Sequence, residues 1–227
     1  MLGTSVNAIA IVVGALIGLL VGKHIQERYS DLIIKGLSLA ILAMGVQGAI
    51  TSNNMLIVLI SIALGALIGE WINIEKRLEE LGAAIEKRFS SKSPIAQGFV
   101  TATLLYCTGS MGILGAIQGG LIGDHQTLFV KSILDGVISV IFAATLGVGV
   151  ILSSVSVFLY QGSIAVAASF LQNVITEVVI QDLSAVGGML LMGLGLKMLG
   201  AIDLKVGNLI PALFIPAFIY PLMALFL

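Results

Sequence analysis

The chain has 227 residues and a formal net charge of −1, with 58% hydrophobic residues and only 10% charged residues. An average soluble domain carries roughly 25% charged residues, so a soluble fold of this length would leave too much apolar surface in water. The composition therefore predicts an all-α integral membrane protein, whose first partner is the lipid bilayer. The charge lacks the basic footprint of nucleic-acid binding, and the single cysteine, Cys107, excludes an internal disulfide.

Apolar segments long enough to cross a bilayer predict eight transmembrane helices, each of about 20 residues. They cover residues 3–22, 32–50, 55–71, 95–122, 127–151, 155–172, 183–200 and 207–226. The N-terminal segment lacks a basic region typical of a signal peptide, so we interpret it as the first span. The short, uncharged connections at 51–54 and 152–154 predict tight hairpins.

Residues 72–90 differ from the spans because they combine many charges with apolar residues at helical spacing. The apolar positions are Ile74, Leu78, Leu81, Ile85 and Phe89. This pattern is typical of an amphipathic helix outside the hydrocarbon. It is interpreted either as a connector resting on the membrane surface or as a docking site for a partner.

The basic residues predict the orientation, since Lys and Arg accumulate on the cytoplasmic side of a membrane. With both termini outside, the eight-span arrangement places ten of the eleven Lys and Arg residues at or towards the cytoplasm. The exception is Lys131, which falls towards the outer side.

A repeated string indicates internal symmetry. GALIGLLVGKH at 14–24 matches GAIQGGLIGDH at 115–125 in six of eleven positions. Because each unit contains three spans, the second unit must enter the membrane from the opposite side, which predicts an inverted-topology repeat. The predicted organisation is a first repeat at 1–71, a cytoplasmic connector at 72–93, a second repeat at 94–172 and a C-terminal helix pair at 173–227. The alternative is chance similarity between segments built from few residue types.

Glycines spaced four residues apart predict close helix packing, because small residues let backbones approach each other in lipid. A dimer interface or a path lined by backbone is the alternative, so the sequence leaves homo-oligomer formation open. The glycines concerned are Gly14, Gly18, Gly22, Gly65, Gly69, Gly115, Gly119 and Gly123.

The fourth span, from Pro94 to Gly123, is too long for a simple crossing. Its centre, YCTGSMG at 106–112, combines glycines and hydroxyl residues that form helices poorly. We expect a broken helix there, lined by protein or by a hydrated cavity. A helix that starts near Met111 would aim free amides at an anion or dipole; a long, tilted and merely kinked helix is the alternative.

Ionisable and amide side chains inside spans are the candidate functional residues, since they are costly in hydrocarbon unless paired or hydrated. Asp135 follows Lys131 by four residues on one helix face, so it is interpreted either as a local ion pair or as a proton or cation site. Asn7, Glu70 and Glu177 lie near span ends and are expected to be wet. The predicted path of a solute or ion is lined by Asp135, Lys35, Thr108, Ser110, Gln118 and Gln161.

Four motifs connect the chain with a known family: CTGSMGILGAIQGGLIGD at 107–124, KSILDG at 131–136, YQG at 160–162 and GNLIPA at 207–212. With them the chain resembles the bacterial family called domain of unknown function 554, also known as the YqgA-like membrane proteins. The resemblance covers essentially the whole chain and implies a multi-pass protein of the bacterial inner membrane. It implies no activity and no binding residues.

The leading functional hypothesis is a transporter or ion-conducting protein for a small solute or ion, with its site where the two repeats meet. The alternative is a non-transporting scaffold or signalling component that acts through the amphipathic connector. An enzyme is not expected, because HExxH and GxSxG motifs are lacking. No cofactor is expected, and His24 and His125 are predicted on opposite membrane faces, too far apart to share a metal.

Overall fold

The computed structural model describes residues 1–22, 27–77, 80, 95–107, 110–168 and 176–226, and the main regular elements in these ranges are helices. A 3₁₀ helix occupies Val206–Phe214, between two of the α-helices. The α-helices are α1 (Leu2–Gly22), α2 (Glu27–Ala49), α3 (Met55–Ile72), α4 (Ile95–Cys107), α5 (Ser110–Leu121), α6 (Gln126–Leu146), α7 (Gly149–Val166), α8 (Glu177–Met198) and α9 (Ile215–Phe226).

The helices confirm the predicted class of an all-helical membrane protein. Within the described residues, seven segments are long and apolar enough to cross a bilayer, and an eighth crossing results when α4 and α5 are counted as one span. These two helices are inclined at 63° to each other. The last crossing combines the 3₁₀ helix with the start of α9, and Pro211, which has no N–H to donate, lies inside that 3₁₀ helix.

The hairpin predicted at 152–154 is wrong, because those residues lie inside α7. The turn comes earlier, directly after α6 ends at Leu146. The next residue, Gly147, has a φ of 80°, which suits a residue without a Cβ. Ser153 and Ser154 stay helical because each hydroxyl donates to a backbone carbonyl three residues back, at 2.7 Å. The fifth span therefore ends earlier than predicted, at Leu146 instead of residue 151. The sixth span begins earlier than predicted, at Gly149 instead of residue 155.

Side chains at the helix ends explain why several helices begin and stop where they do. At the start of α3, the side-chain oxygen of Asn54 accepts a hydrogen bond from the Leu56 N–H. At the start of α8, the Thr176 side chain accepts one from the Val179 N–H. Asn73 ends α3 with a left-handed φ of 56°, and its N–H donates to the Glu70 carbonyl. Asparagine tolerates this conformation better than most residues.

One compact unit contains α1, the start of α2 and α4 to α7. Within it, α1 lies along α6, and the glycines of α1 approach the α6 backbone so closely that a Cβ would overlap it. This close approach supplies the dispersion contacts that hold helices together in lipid. The glycines Gly14, Gly18 and Gly22 lie against Gly136, Val140 and Ala144, in that order.

The other unit contains the rest of α2, α3, α8, the 3₁₀ helix and α9. Here Gly65 and Gly69 of α3 lie against the backbone of the 3₁₀ helix, at Ala212 and Asn208. On α8, Gly188 lies against the α2 backbone in the same way. Both units therefore use glycine for backbone contact between helices.

The remaining predicted packing glycines, in or just after α5, differ from those of α1 and α3, which lie directly against the backbone of another helix. A Cβ at Gly115 would meet the side chain of Leu128, and one at Gly119 would meet His125. Gly123 departs from the prediction, because its φ is 68° and its Cβ position is open. It serves the turn after α5 rather than helix packing.

Most of the predicted amphipathic connector, including Leu81, Ile85 and Phe89, lies outside the described residues, although residues 74–77 are helical. The four predicted sequence domains remain a prediction. The two compact units follow spatial contacts and combine segments of both proposed repeats.

Candidate functional site

A cluster of polar side chains is buried among the membrane-spanning helices of the first unit. Asn7 comes from α1, Lys131 and Asp135 come from α6, and Gln161 comes from α7. Their exposed fractions are 0%, 6%, 4% and 0%. Since polar groups are expensive in hydrocarbon, such a concentration needs either mutual satisfaction or a function. We call these four residues the polar cluster.

The polar cluster is organised around the Asp135 carboxylate. The Lys131 ammonium lies 2.9 Å from each of its two oxygens. The Asn7 amide nitrogen donates to Oδ2 at 3.0 Å and also approaches the Gln161 Oε1 at 3.4 Å. One cation and one amide therefore hold the carboxylate, and a second amide extends the network to α7.

The chemistry of the carboxylate decides which way the two amides point. An ionised carboxylate only accepts hydrogen bonds, so the NH₂ group of Asn7 must face Asp135. The same NH₂ group then faces the carbonyl oxygen of Gln161. As a result, Asn7 Oδ1 and Gln161 Nε2 point away from the pair, and both are buried without a hydrogen-bond partner among the described residues.

A third unsatisfied group lies one turn before Asn7 on α1. The Thr4 hydroxyl is buried and has no partner in the described part of the chain. Nearly all buried polar atoms in proteins have partners, so three orphaned atoms on α1 and α7 beside one ion pair call for an explanation. An acceptor, a donor and a hydroxyl that can act as either would suit a water, an ion or a transferred proton.

The last turn of α4 and the first turn of α5 lie near the polar cluster. A Cβ built on Gly112, in the first turn of α5, would lie 3.4 Å from Lys131 Cε and 3.6 Å from Gln161 Nε2. On the other side of the break, the Tyr106 hydroxyl is 2.7 Å from the Ser139 hydroxyl, one turn beyond Asp135 on α6. The start of α5 therefore contacts the same buried polar region.

Among the four predicted path residues whose side chains the structure describes, Asp135 and Gln161 come together in the polar cluster. Gln118 instead accepts a hydrogen bond from the Thr127 hydroxyl at 2.7 Å, which ties α5 to α6. Lys35 pairs with Asp31 at 2.7 Å in an exposed ion pair. Thr108 and the side chain of Ser110 lie outside the described residues.

Sequence reasoning missed Asn7, which was expected to be wet because it lies near a span end. The structure buries it completely, since its face of α1 packs against α6 and α7. A signal was present, because Asn7 is the one amide residue in the first predicted span, residues 3–22. Glu177, by contrast, is exposed as expected.

The second unit contains a buried carboxylate of the opposite kind. Asp182 is fully buried, and its Oδ1 accepts from the Ser52 hydroxyl and from the Asn53 and Asn54 backbone amides at 2.8–3.1 Å. Its Oδ2 accepts from the Tyr220 hydroxyl at 2.7 Å. This carboxylate is satisfied by neutral donors and fixes the hairpin before α3, so we assign it a structural role.

These features define a polytopic α-helical membrane protein with a buried ion pair among its spans. The chain belongs to the family described as "Protein of unknown function (DUF554)", which matches residues 2–221. This confirms the resemblance seen in the sequence motifs.

Two relatives match over almost their whole length. The "Uncharacterized membrane protein YdfK" of Bacillus subtilis (strain 168) is 36% identical over 221 residues, covering 95% of this chain and 94% of the relative. The "Uncharacterized protein YqgA" of Escherichia coli (strain K12) is 33% identical over 218 residues, covering 93% of each chain. No solved structure matches.

Proposed function

We propose that this membrane protein transports a small monovalent cation in exchange for a proton, with the Lys131–Asp135 pair as the ion-handling centre. The observation that carries the proposal is the buried polar cluster, in which an ion pair is joined to two amides that each have an unpartnered atom, with the unpartnered Thr4 hydroxyl one turn before Asn7. In a purely structural site we expect the residues that hold the carboxylate to have their polar atoms satisfied, and none of the donors to Asp182 has a buried unpartnered side-chain atom.

The geometry suits competition between two cations for one carboxylate. The Lys131 ammonium lies 2.9 Å from both oxygens of Asp135, the position that a bound cation would need. An entering cation must therefore displace the ammonium. When Lys131 gives up its proton as the neutral amine, one proton leaves and one cation takes its place, so the charge of the site is conserved. The Gln161 amide oxygen, which the Asn7 amide nitrogen approaches at 3.4 Å, is a further oxygen within the polar cluster.

The proposed inverted repeat fits this location. Asn7 belongs to the first predicted repeat, whereas Lys131, Asp135 and Gln161 belong to the second. In transporters built from inverted repeats, binding sites lie where the repeats meet, often beside broken helices. The bend of 63° between α4 and α5 supports the comparison. We therefore propose the inverted repeat as the framework of the exchange.

The exchange is tested with purified protein in liposomes that have an acidic interior and contain a fluorescent pH indicator. Addition of Na⁺ or K⁺ outside should raise the internal pH, and protein-free liposomes should not respond. If neither cation moves protons through the folded wild-type protein in either direction, the proposal is wrong.

Two variants connect the flux with the pair. Asp135→Asn removes the charge that attracts the cation and should abolish exchange. Lys131→Arg keeps a positive charge but cannot release a proton, so it should keep the fold and lose exchange. The control is Asp31→Asn in the exposed ion pair of the same spacing, which should exchange at the wild-type rate. Wild-type exchange by Lys131→Arg would contradict the mechanism.

The inverted topology has its own test. In a Cys107→Ala background, single cysteines at positions 24 and 125 are treated with a membrane-impermeant thiol reagent in intact cells. We expect labelling at 125 from outside, and labelling at 24 only after the cells are opened. Equal accessibility of both positions from one side would refute the inverted arrangement.

A further inference from the structure

A groove of about 640 Å³ opens on the surface of the second unit, between the second half of α3 and the segment that leads into the 3₁₀ helix. On the α3 side, its wall is formed by Ala63, Ala66 and Leu67, and on the other side by Leu204 and Leu209. The alanines leave space because they carry only a methyl group. The groove is therefore largely apolar along its length and has the volume of a small-ligand site.

One end of the groove is charged. The Lys205 ammonium lies 2.8 Å from Glu70 Oε1, and Asn208 donates to the other oxygen of Glu70. The side chains of Lys205 and Glu70 are 58% and 56% exposed, so both charges are accessible from outside. The hydrogen bond to Glu70 raises the pKa of Lys205, which therefore stays cationic. Only one of its three N–H donors is needed for this bond.

The same end carries the only tryptophan of the chain. Trp71 lines the groove and is 86% exposed, next to Glu70. Tryptophan prefers the level of the lipid headgroups, with its ring among the first acyl carbons. From Trp71 the apolar wall runs down α3 towards Ala63, about 12 Å at 1.5 Å per residue. A charged end at headgroup level and an apolar wall below it match the two parts of a phospholipid.

The charges around the groove select among phospholipids. The two charged residues that line the groove, Glu70 and Lys205, are paired with each other and cancel. An anionic headgroup without a cationic group would compete with Glu70 for Lys205 and would leave the Glu70 carboxylate without a partner. A headgroup with both a phosphate and an ammonium can place the phosphate at Lys205 and the ammonium at Glu70.

We propose that this groove is a binding site for one aminophospholipid, phosphatidylethanolamine in chemical class, with its headgroup on Glu70 and Lys205 and an acyl chain along α3. The inference does not depend on the proposed cation exchange, since groove and polar cluster belong to different units. Binding would fix the end of α3 at the membrane surface.

Trp71 makes the test direct, because all tryptophan fluorescence of the protein originates in the groove. The protein is reconstituted in phosphatidylcholine vesicles that contain a small fraction of either phosphatidylethanolamine or phosphatidylglycerol with brominated acyl chains, which quench tryptophan on contact. We expect phosphatidylethanolamine to quench with about fivefold higher apparent affinity, the ratio that one exposed charge contact of about 1 kcal/mol would give. Equal quenching by both lipids would overturn the proposal.

Variants separate the charged end from the apolar wall. Glu70→Gln should remove the preference for phosphatidylethanolamine because the lipid ammonium loses its partner, and Ala66→Phe should reduce quenching by either lipid because the ring fills the groove. The control is Glu80→Gln, which breaks a more exposed ion pair with Lys76 and should keep the preference. A preference that survives Glu70→Gln would contradict the proposed headgroup contact, and the thermal midpoint of each variant shows whether it is folded.

Discussion

Replacement of Lys131 by methionine would test whether the polar cluster is shielded from water. At a separation of 2.9 Å, the attraction between Lys131 and Asp135 is about 6 kcal/mol with an effective dielectric constant of about 20. Part of this is offset by the cost of burying both charges, so the measurable loss is smaller. Removal of one partner of a buried pair typically costs about 3–5 kcal/mol, because the other charge stays buried alone.

Cys107 provides the assay. It is the only cysteine, it is 8% exposed, and it lies in the same unit as the pair. A dye that fluoresces on reaction with thiols therefore reports unfolding of that unit during heating. For a chain of this size, about 2–4 °C is lost per kcal/mol, so Lys131→Met should lower the midpoint by roughly 10 °C.

Two comparisons make the result decisive. The double variant Lys131→Met, Asp135→Asn should recover more than half of the loss, since no unpaired charge remains. Lys35→Met, in the exposed pair with Asp31, should change the midpoint by little, because exposed pairs contribute about 0–1 kcal/mol. If Lys131→Met and Lys35→Met lower the midpoint equally, the cluster is not shielded and the reasoning fails.

Three further predictions concern packing and capping. Gly18→Val should destabilise the first unit by about 1–3 kcal/mol or more, because its Cβ would meet the Val140 carbonyl. Gly36→Ala should be neutral or stabilising by up to about 1 kcal/mol, because the space around Gly36 is open. The unfolding midpoint from the thiol-reactive dye measures both effects. Tyr220→Phe should cost about 1–3 kcal/mol by leaving Asp182 without one donor, measured from tryptophan emission during denaturation. Asn73→Ala should cost about 1 kcal/mol because of its left-handed φ, whereas Asn73→Gly should cost less, and denaturant midpoints that rank the two variants in reverse would contradict this.

The number and class of the helices could be predicted because hydropathy depends on composition, which is local. The turn between α6 and α7 could not. Residues 147–154 are all apolar or small, so length alone suggested 152–154, whereas Gly147 takes the positive φ and ends α6. Ser153 and Ser154, which fall in the predicted hairpin, satisfy their hydroxyls within the helix.

The candidate site, too, could be predicted from the sequence only in part. The pairing of Lys131 with Asp135 follows from four-residue spacing on one helix, and the structure has this ion pair. The contact between Asn7 and Asp135 joins residues 128 positions apart, and no local sequence pattern predicts it. For the same reason Lys35, which the sequence predicted to line the same path as Asp135, has a different environment: an exposed pair with Asp31.

The sequence by itself determined that this is a multi-pass helical membrane protein, roughly where its helices cross, and that Lys131 and Asp135 share one helix face. Only the tertiary structure decided that an amide near the N-terminus completes the pair, that Asp182 is satisfied by neutral donors, and that a groove ends at Glu70 and Lys205. The physical reason is that hydropathy and helical periodicity act within a segment of some 20 residues. Burial and hydrogen bonding of a side chain depend on which distant helices pack against it.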